Sequence, residues 1–279
     1  LESCRKLTIP FLEVTVMHIV VCVKQVPEVT DAELEVTKDG TGIITEDLEF
    51  DINEWDNYAV EEAVRIKEAQ GGTVTVITLG DEECEDVLRT ALAMGADKAI
   101  RIDEQGFELS DAAGIAQGLY RVIRNLSFDL LLTGVQSSDD GWSQVGPILA
   151  ELLGLPYAAL VVNVEIADGM ITVHRELESN TRERVELPLP AALTIQTGIN
   201  NPRYVSIMGI QKVRRIEITE TGSEELDLSE EQIGSHGSSV GSQLLSIPPV
   251  GEGAEILTGS LDEICEKTAQ IIRDKGGVV

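Results

Sequence analysis

Gly134-Val135-Gln136-Ser137-Ser138-Asp139-Asp140-Gly141-Trp142-Ser143-Gln144-Val145-Gly146-Pro147 is a polar loop between two apolar runs. Before it, Phe128 to Thr133 reads as a buried strand, and after it Ile148 to Leu153 reads as a helix. Open α/β sheets bind nucleotides where a strand ends and a helix begins. Free backbone N–H groups at the helix start suit a phosphate. At fourteen residues the loop is longer than an ordinary connection, which is the plain alternative. Gly134, Gly141 and Gly146 permit close backbone approach. Asp139 and Asp140 repel phosphate directly, so they are better placed to cap the helix, accept ribose hydroxyls or hold a cation. Neither GxGxxG nor a Walker lysine is present.

Outward from this loop the chain alternates. Residues 18–24, 73–79, 98–102 and 128–133 are rich in Val, Ile and Leu and read as strands. Residues 54–70, 83–94, 111–126 and 142–153 read as helices. Such alternation implies crossover units and a parallel sheet. Asn53 stands where an N-cap belongs, with Asp56 three residues on. Asp81 is placed to cap the next helix, and Gly95 to end it.

After 155 the pattern changes. Tyr157–Ile166, Met170–Glu176, Arg182–Leu187 and Ala191–Thr197 are strand-like, with an Asp168-Gly169 turn signal. They read as an antiparallel extension of the core. From about 217 the chain is acidic and loop-like, with an amphipathic helix expected over 261–274. This arm either packs on its own domain or wraps a partner. Three segments are expected: a foreign or upstream leader over 1–16, an α/β core over 17–216 and an arm over 217–279.

The net charge of −28 argues against nucleic acid and anionic membrane surfaces as partners. It suits a salty or crowded cytoplasm, or an acidic face meeting a basic partner. No run is long enough to span a bilayer, so no membrane insertion is expected. Cys4, Cys22, Cys84 and Cys265 are far apart and fit no metal spacing, so reduced thiols and a cytoplasmic location are expected.

Two further stretches border the expected crevice. Lys24-Gln25-Val26-Pro27 ends the first strand, with Cys22 either beneath a ligand or simply in the core. Asn53-Glu54-Trp55-Asp56 opens the first helix, either beside the nucleotide or as a plain cap. No catalytic constellation is visible, since His174 has no nucleophile in a recognisable arrangement. A bound nucleotide without hydrolytic machinery points to a carrier or a scaffold.

From Met17 onward the chain resembles the beta subunit of electron transfer flavoprotein. The resemblance rests on Val23-Lys24-Gln25-Val26-Pro27, Ala59 to Lys67, Arg89 to Asp97, the 134–147 loop and Asn201-Pro202-Arg203-Tyr204. In the family signature over 173–194, Val173, Arg175, Glu178, Glu183, Val185, Pro190, Leu193 and Thr194 fit. Ser179, Asn180 and Ala192 depart from it.

The resemblance implies a heterodimer whose alpha subunit carries the redox FAD. This subunit would bind AMP, or in bifurcating members that oxidise NADH a second FAD. Electrons would pass from acyl-CoA dehydrogenases or similar flavoproteins to a quinone reductase. Carried over by position, the nucleotide contacts are Cys22, Asn53, Glu54, Trp55, Asp56, Leu79 and Gly134 to Val145 (Val135, Gln136, Ser137, Ser138, Asp139, Asp140, Gly141, Trp142, Ser143 and Gln144 between). Partner recognition falls on Ile195 to Glu217, including Arg203, Tyr204 and Met208, with Ile207 as the apolar anchor. Glu176 matches a carboxylate near the FAD domain. The arm and last helix would wrap the alpha subunit. Trp142 would crowd an isoalloxazine, which favours AMP; a stand-alone nucleotide-binding regulator is the alternative from another class.

Overall fold

The computed structural model describes residues 16–30, 32–241, 244–249, 251 and 253–275. The expected leader lies outside the described residues apart from Val16. The chain divides into two units, one of residues 1–34 with 44–243 and one of 35–43 with 244–279.

The larger unit is built on one nine-stranded sheet. Its core strands are β1 (Met17–Cys22), β4 (Gly72–Leu79), β5 (Lys98–Ile102), β6 (Leu130–Gly134) and β10 (Ala191–Ile195). They alternate with α1 (Glu54–Gln70), α2 (Glu85–Met94), α3 (Ala112–Ile123) and α4 (Val145–Leu153). A small antiparallel pair, β2 (Gln25–Pro27) with β3 (Phe50–Ile52), lies outside the sheet. The meander β7 (Tyr157–Ala167), β8 (Met170–Leu177) and β9 (Thr181–Pro188) forms the antiparallel extension. A short helix α5 (Ile207–Val213) and strand β11 (Ile218–Thr221) follow. The sheet order is β11-β5-β4-β1-β6-β10-β7-β8-β9.

This is the α/β fold with a mostly parallel sheet that the alternating pattern implied. Successive residues of β1 feed opposite faces. Ile19 and Val21 pack with α1 and α2 residues such as Val60 and Leu88, while Val20 and Cys22 pack with α3 and α4 residues such as Leu119 and Leu149. Both faces are covered, so the central strands are apolar throughout. The strand order reverses at β1, with β4 on one side and β6 on the other. A crevice at the carboxyl ends of β1 and β6 follows from that reversal.

Four details differ from the sequence reading. The run 191–195 is not part of the antiparallel extension: β10 lies parallel between β6 and β7, every residue buried. The acidic stretch after 217 begins with β11, which pairs parallel with β5. Arg101, 2% exposed on β5, makes that possible by ion-pairing Glu220 across the two strands. Helix α4 begins at Val145 rather than 142, because Ser143 takes a left-handed φ of 55°. Asn53 occupies the N-cap position of α1 as expected, but its side chain makes no capping bond there.

Asp56 instead joins α1 to two strand ends. Its Oδ2 accepts from the backbone N–H of Lys24 at 2.8 Å, and its Oδ1 from that of Gly134 at 2.9 Å. Gly134 is needed there, since a Cβ would run into the Asp56 carboxylate and lie 2.7 Å from Trp55 Cβ. Asp81 does cap the turn before α2, and Gly95 ends that helix at φ 129°.

The smaller unit holds a bridge between Val36 and Ile43 and a backbone bond from Leu245 to the Gly40 carbonyl at 2.8 Å. Its helix spans Leu261–Asp274, opens on a Ser260–Glu263 capping box and buries no residue. With the four-residue helix α6 (Gly234–Gly237) in the larger unit, it is α7. No helix among the described residues is long and apolar enough to cross a membrane.

Burial pushes the Asp56 carboxyl up to about 7 from its ordinary 3.8. Between those values the folded state holds a proton that the unfolded chain has lost. The resulting stabilisation is complete below about pH 4 and is lost as the pH rises through about 7. A neutral carboxyl keeps a lone pair on each oxygen for its two N–H donors, whereas an amide nitrogen has none. Asp56→Asn is therefore expected to cost about 1–3 kcal/mol at pH 5. Urea unfolding at pH 5 and pH 8 should show the gap to wild type narrowing at the higher pH; an equal gap at both would contradict this.

Candidate functional site: a nucleotide cleft

A cleft of about 220 Å³ opens at the carboxyl ends of β1, β4 and β6. The structure brings together on its walls Cys22, Asn53, Asp56, Leu79, Gly134 to Ser137, Asp140 and Trp142 to Val145, all expected there. Glu54, Trp55, Ser138, Asp139 and Gly141 were expected too, but do not line it. Trp55 turns away and donates its Nε1–H to Gln196 Oε1 at 2.9 Å. Val23, Lys24, Ser110, Ile115, Leu119, Thr133 and Gly146 line it without having been singled out as ligands. Ile115 and Leu119 lie four apart on α3, a stripe visible in the sequence; which space that stripe faces is decided only by packing.

The loop is held from below. Asn53, 1% exposed, donates Nδ2–H to the Gln136 carbonyl at 2.8 Å and accepts the Ser138 N–H at 3.1 Å. Its amide thus completes the backbone of the loop instead of capping its own helix. Gly134 N–H goes to Asp56, and Val135 N–H to the Ile195 carbonyl at 3.2 Å.

The charge of the loop is handled by Lys24. Its Nζ lies 2.6 Å from Asp139 Oδ2 and 2.7 Å from Asp140 Oδ2. Of the roles open to this acidic pair, holding a cation is the one observed, and the cation is the chain's own. Burial opposes the Lys24 charge, but both carboxylates hold its ammonium above the ordinary lysine range. Burial also raises Asp139, yet Lys24 keeps it below the ordinary carboxylate range.

With the carboxylates engaged, the start of α4 faces the cleft uncapped. Gln144 makes no side-chain capping bond. The N–H groups of Val145 and Gly146 find no acceptor among the described residues. Unpaired donors at a helix N-terminus form an anion site. Leu79, Ile115 and Leu119 supply an apolar wall for a flat ring. Burial, with Asp56 nearby, pushes the Cys22 thiol well up, so it stays protonated and serves as packing.

The expected recognition segment splits in two. Ile195 is fully buried in β10, so its side chain has no surface to offer a partner. Tyr204, Ile207 and Met208 are strongly exposed at and before the start of α5. The Arg203 guanidinium is turned inward onto Glu61 and Glu68. Half-buried Glu176 accepts a long bond from Gln196 Nε2 at 3.5 Å.

The family model for the electron transfer flavoprotein domain matches residues 41–225. The electron transfer flavoprotein subunit beta of Methylophilus methylotrophus is 35% identical, covering 94% of this chain and 100% of that protein. That of Bacillus subtilis is 37% identical, covering 86% and 92%. The caffeyl-CoA reductase-Etf complex subunit CarD of Acetobacterium woodii is 34% identical, covering 93% and 99%. The chain belongs to the electron transfer flavoprotein family, as a beta subunit.

Proposed function

We propose that this subunit holds one AMP in the β1–β6 cleft as a structural ligand, and docks a flavoprotein such as an acyl-CoA dehydrogenase through Tyr204, Ile207 and Met208. The uncapped start of α4, opening beside carboxylates already neutralised by Lys24, is the observation that carries the nucleotide reading. The phosphate accepts from the N–H groups of Val145 and Gly146. The adenine lies against Leu79, Ile115 and Leu119. Trp142 lines the same cleft and takes space that a flavin ring would need.

No residue of the cleft is arranged for acid–base or nucleophilic work. In this reading the electrons travel on the FAD of the alpha subunit, which delivers them to a quinone reductase. The bound AMP stabilises the folded state by mass action. Helix α7 leaves Leu261, Ile271 and Ile272 exposed, which supports the arm as the surface laid against the alpha subunit. In this reading Glu176 limits the swing of the FAD domain.

Nucleotides released on denaturing the co-expressed heterodimer are expected at one FAD and one AMP per dimer. Two FAD and no AMP would replace this reading with the bifurcating one, and no AMP with a single FAD would remove the nucleotide from the beta cleft. Lys24→Met should expose two carboxylates to the phosphate and weaken AMP binding about tenfold at low salt, with partial recovery at high salt. Unchanged affinity in a calorimetric titration would contradict the neutralising role of Lys24.

A further inference from the structure

Between β10 and β11 the chain leaves the sheet, presents apolar side chains and returns. Tyr204, Ile207 and Met208 are 91%, 76% and 70% exposed. Water would be expected to drive such a loop to collapse or to sample many shapes. Both of its stems are fastened instead. On entry, Asn200 Nδ2–H donates to the Tyr58 carbonyl at 3.1 Å and to Glu62 Oε2 at 3.0 Å. Arg203 then forks between two carboxylates of α1. Its Nε and Nη2 donate to Glu61 at 2.8 and 3.1 Å, and its Nη1 and Nη2 to Glu68 at 2.8 and 3.2 Å. The Arg203 backbone N–H reaches Glu61 as well, at 3.1 Å. On exit, Arg89 of α2 donates to the carbonyls of Val213, at 3.2 Å, and Ile216. Within the loop Ser206 caps α5.

We infer that Arg203, gripped by Glu61 and Glu68, is a positioning residue for partner docking. It holds Tyr204 to Met208 in the shape that the partner meets and does not itself touch the partner. The inference rests on the docking role proposed above for that loop. Glu61 is 5% exposed, and a buried carboxylate demands a partner of fixed geometry. The planar guanidinium satisfies it with parallel bonds that an ammonium cannot reproduce. A loop ordered before encounter loses less freedom on binding, so the benefit falls on affinity and not on electron transfer after docking.

The test uses the intact heterodimer and three variants. Arg203→Ala removes the fork, Glu68→Gln weakens its exposed half without leaving a buried charge unpaired, and Ile207→Ala removes the apolar anchor alone. Three quantities are read: amide hydrogen exchange over residues 204–209, and KM and kcat with the heterodimer as electron acceptor for a reduced acyl-CoA dehydrogenase. Arg203→Ala should speed exchange and raise KM, each about tenfold, with kcat within about twofold. Glu68→Gln should move both the same way by a smaller factor, which keeps the test decisive where Arg203→Ala does not fold. Ile207→Ala should raise KM with exchange unchanged. Unchanged exchange and KM in both fork variants would overturn the positioning role. A rise in KM with Ile207→Ala but not with the fork variants would overturn it while leaving the docking surface in place. Unchanged KM with Ile207→Ala would overturn the docking reading itself, and exchange in the fork variants would still judge the grip.

Discussion

One buried carboxylate ties the site to the fold. Asp56 sits on the first turn of α1 and accepts the N–H of Lys24, just past β1, and of Gly134, at the end of β6. Those two positions begin the two sides of the cleft. Fixing the Lys24 backbone also fixes where its ammonium can reach, which is Asp139 and Asp140 in the loop opposite. Fixing Gly134 sets the direction in which the fourteen-residue loop leaves the sheet. A desolvated carboxyl is a costly means of joining three elements, and it holds because both donors are backbone groups that would otherwise be orphaned.

Cations are scarce in this chain, 21 Lys and Arg against 49 Asp and Glu, and several are committed to internal acids. Lys24 neutralises the acidic 134–147 loop, Arg101 fastens the edge strand β11 through Glu220, and Arg203 fastens the exposed apolar loop through Glu61 and Glu68. Each joins segments far apart in sequence. The negative surface and these few inward cations are two sides of one arrangement. Acid excess keeps the surface solvated, while the positive groups are placed where repulsion would otherwise splay a loop. Surface ion pairs contribute little, but Glu61 and Arg101 are buried, so their pairs set geometry as well as energy.

Much of this was legible in the sequence, for a physical reason. Central strands such as β1 and β6 read as continuous apolar runs because both sheet faces are covered, and α1 shows an apolar stripe through Ala59, Val60, Ala63 and Val64. The meander from Tyr157 to Pro188 showed its turns. The elements missed were short or chemically masked. Strands β2 and β3 have three residues each, and β11 has four, with an acid among them that pairs with Arg101 on β5. In the cleft, the loop itself was readable because its length and glycines are local properties. The roles of Asn53 and Asp56 were not, since a capping signature and a long-range brace look alike in sequence. Ser110, Ile115 and Leu119 were missed because only the packing of α3 turns them toward the loop. The same holds for Arg203, whose residue type suits a partner surface but whose surroundings turn it inward.

In the proposed function the start of α4, presented by a loop braced at Asp56 and Lys24, is a phosphate cradle. Hydrogen exchange on nucleotide-stripped heterodimer, with and without added AMP, is the measurement to make. AMP should slow exchange of the amides from Trp142 to Gly146, while the exposed loop at 204–209 keeps its rate. Slowing confined to other regions, or none at all at saturating AMP, would contradict the claim.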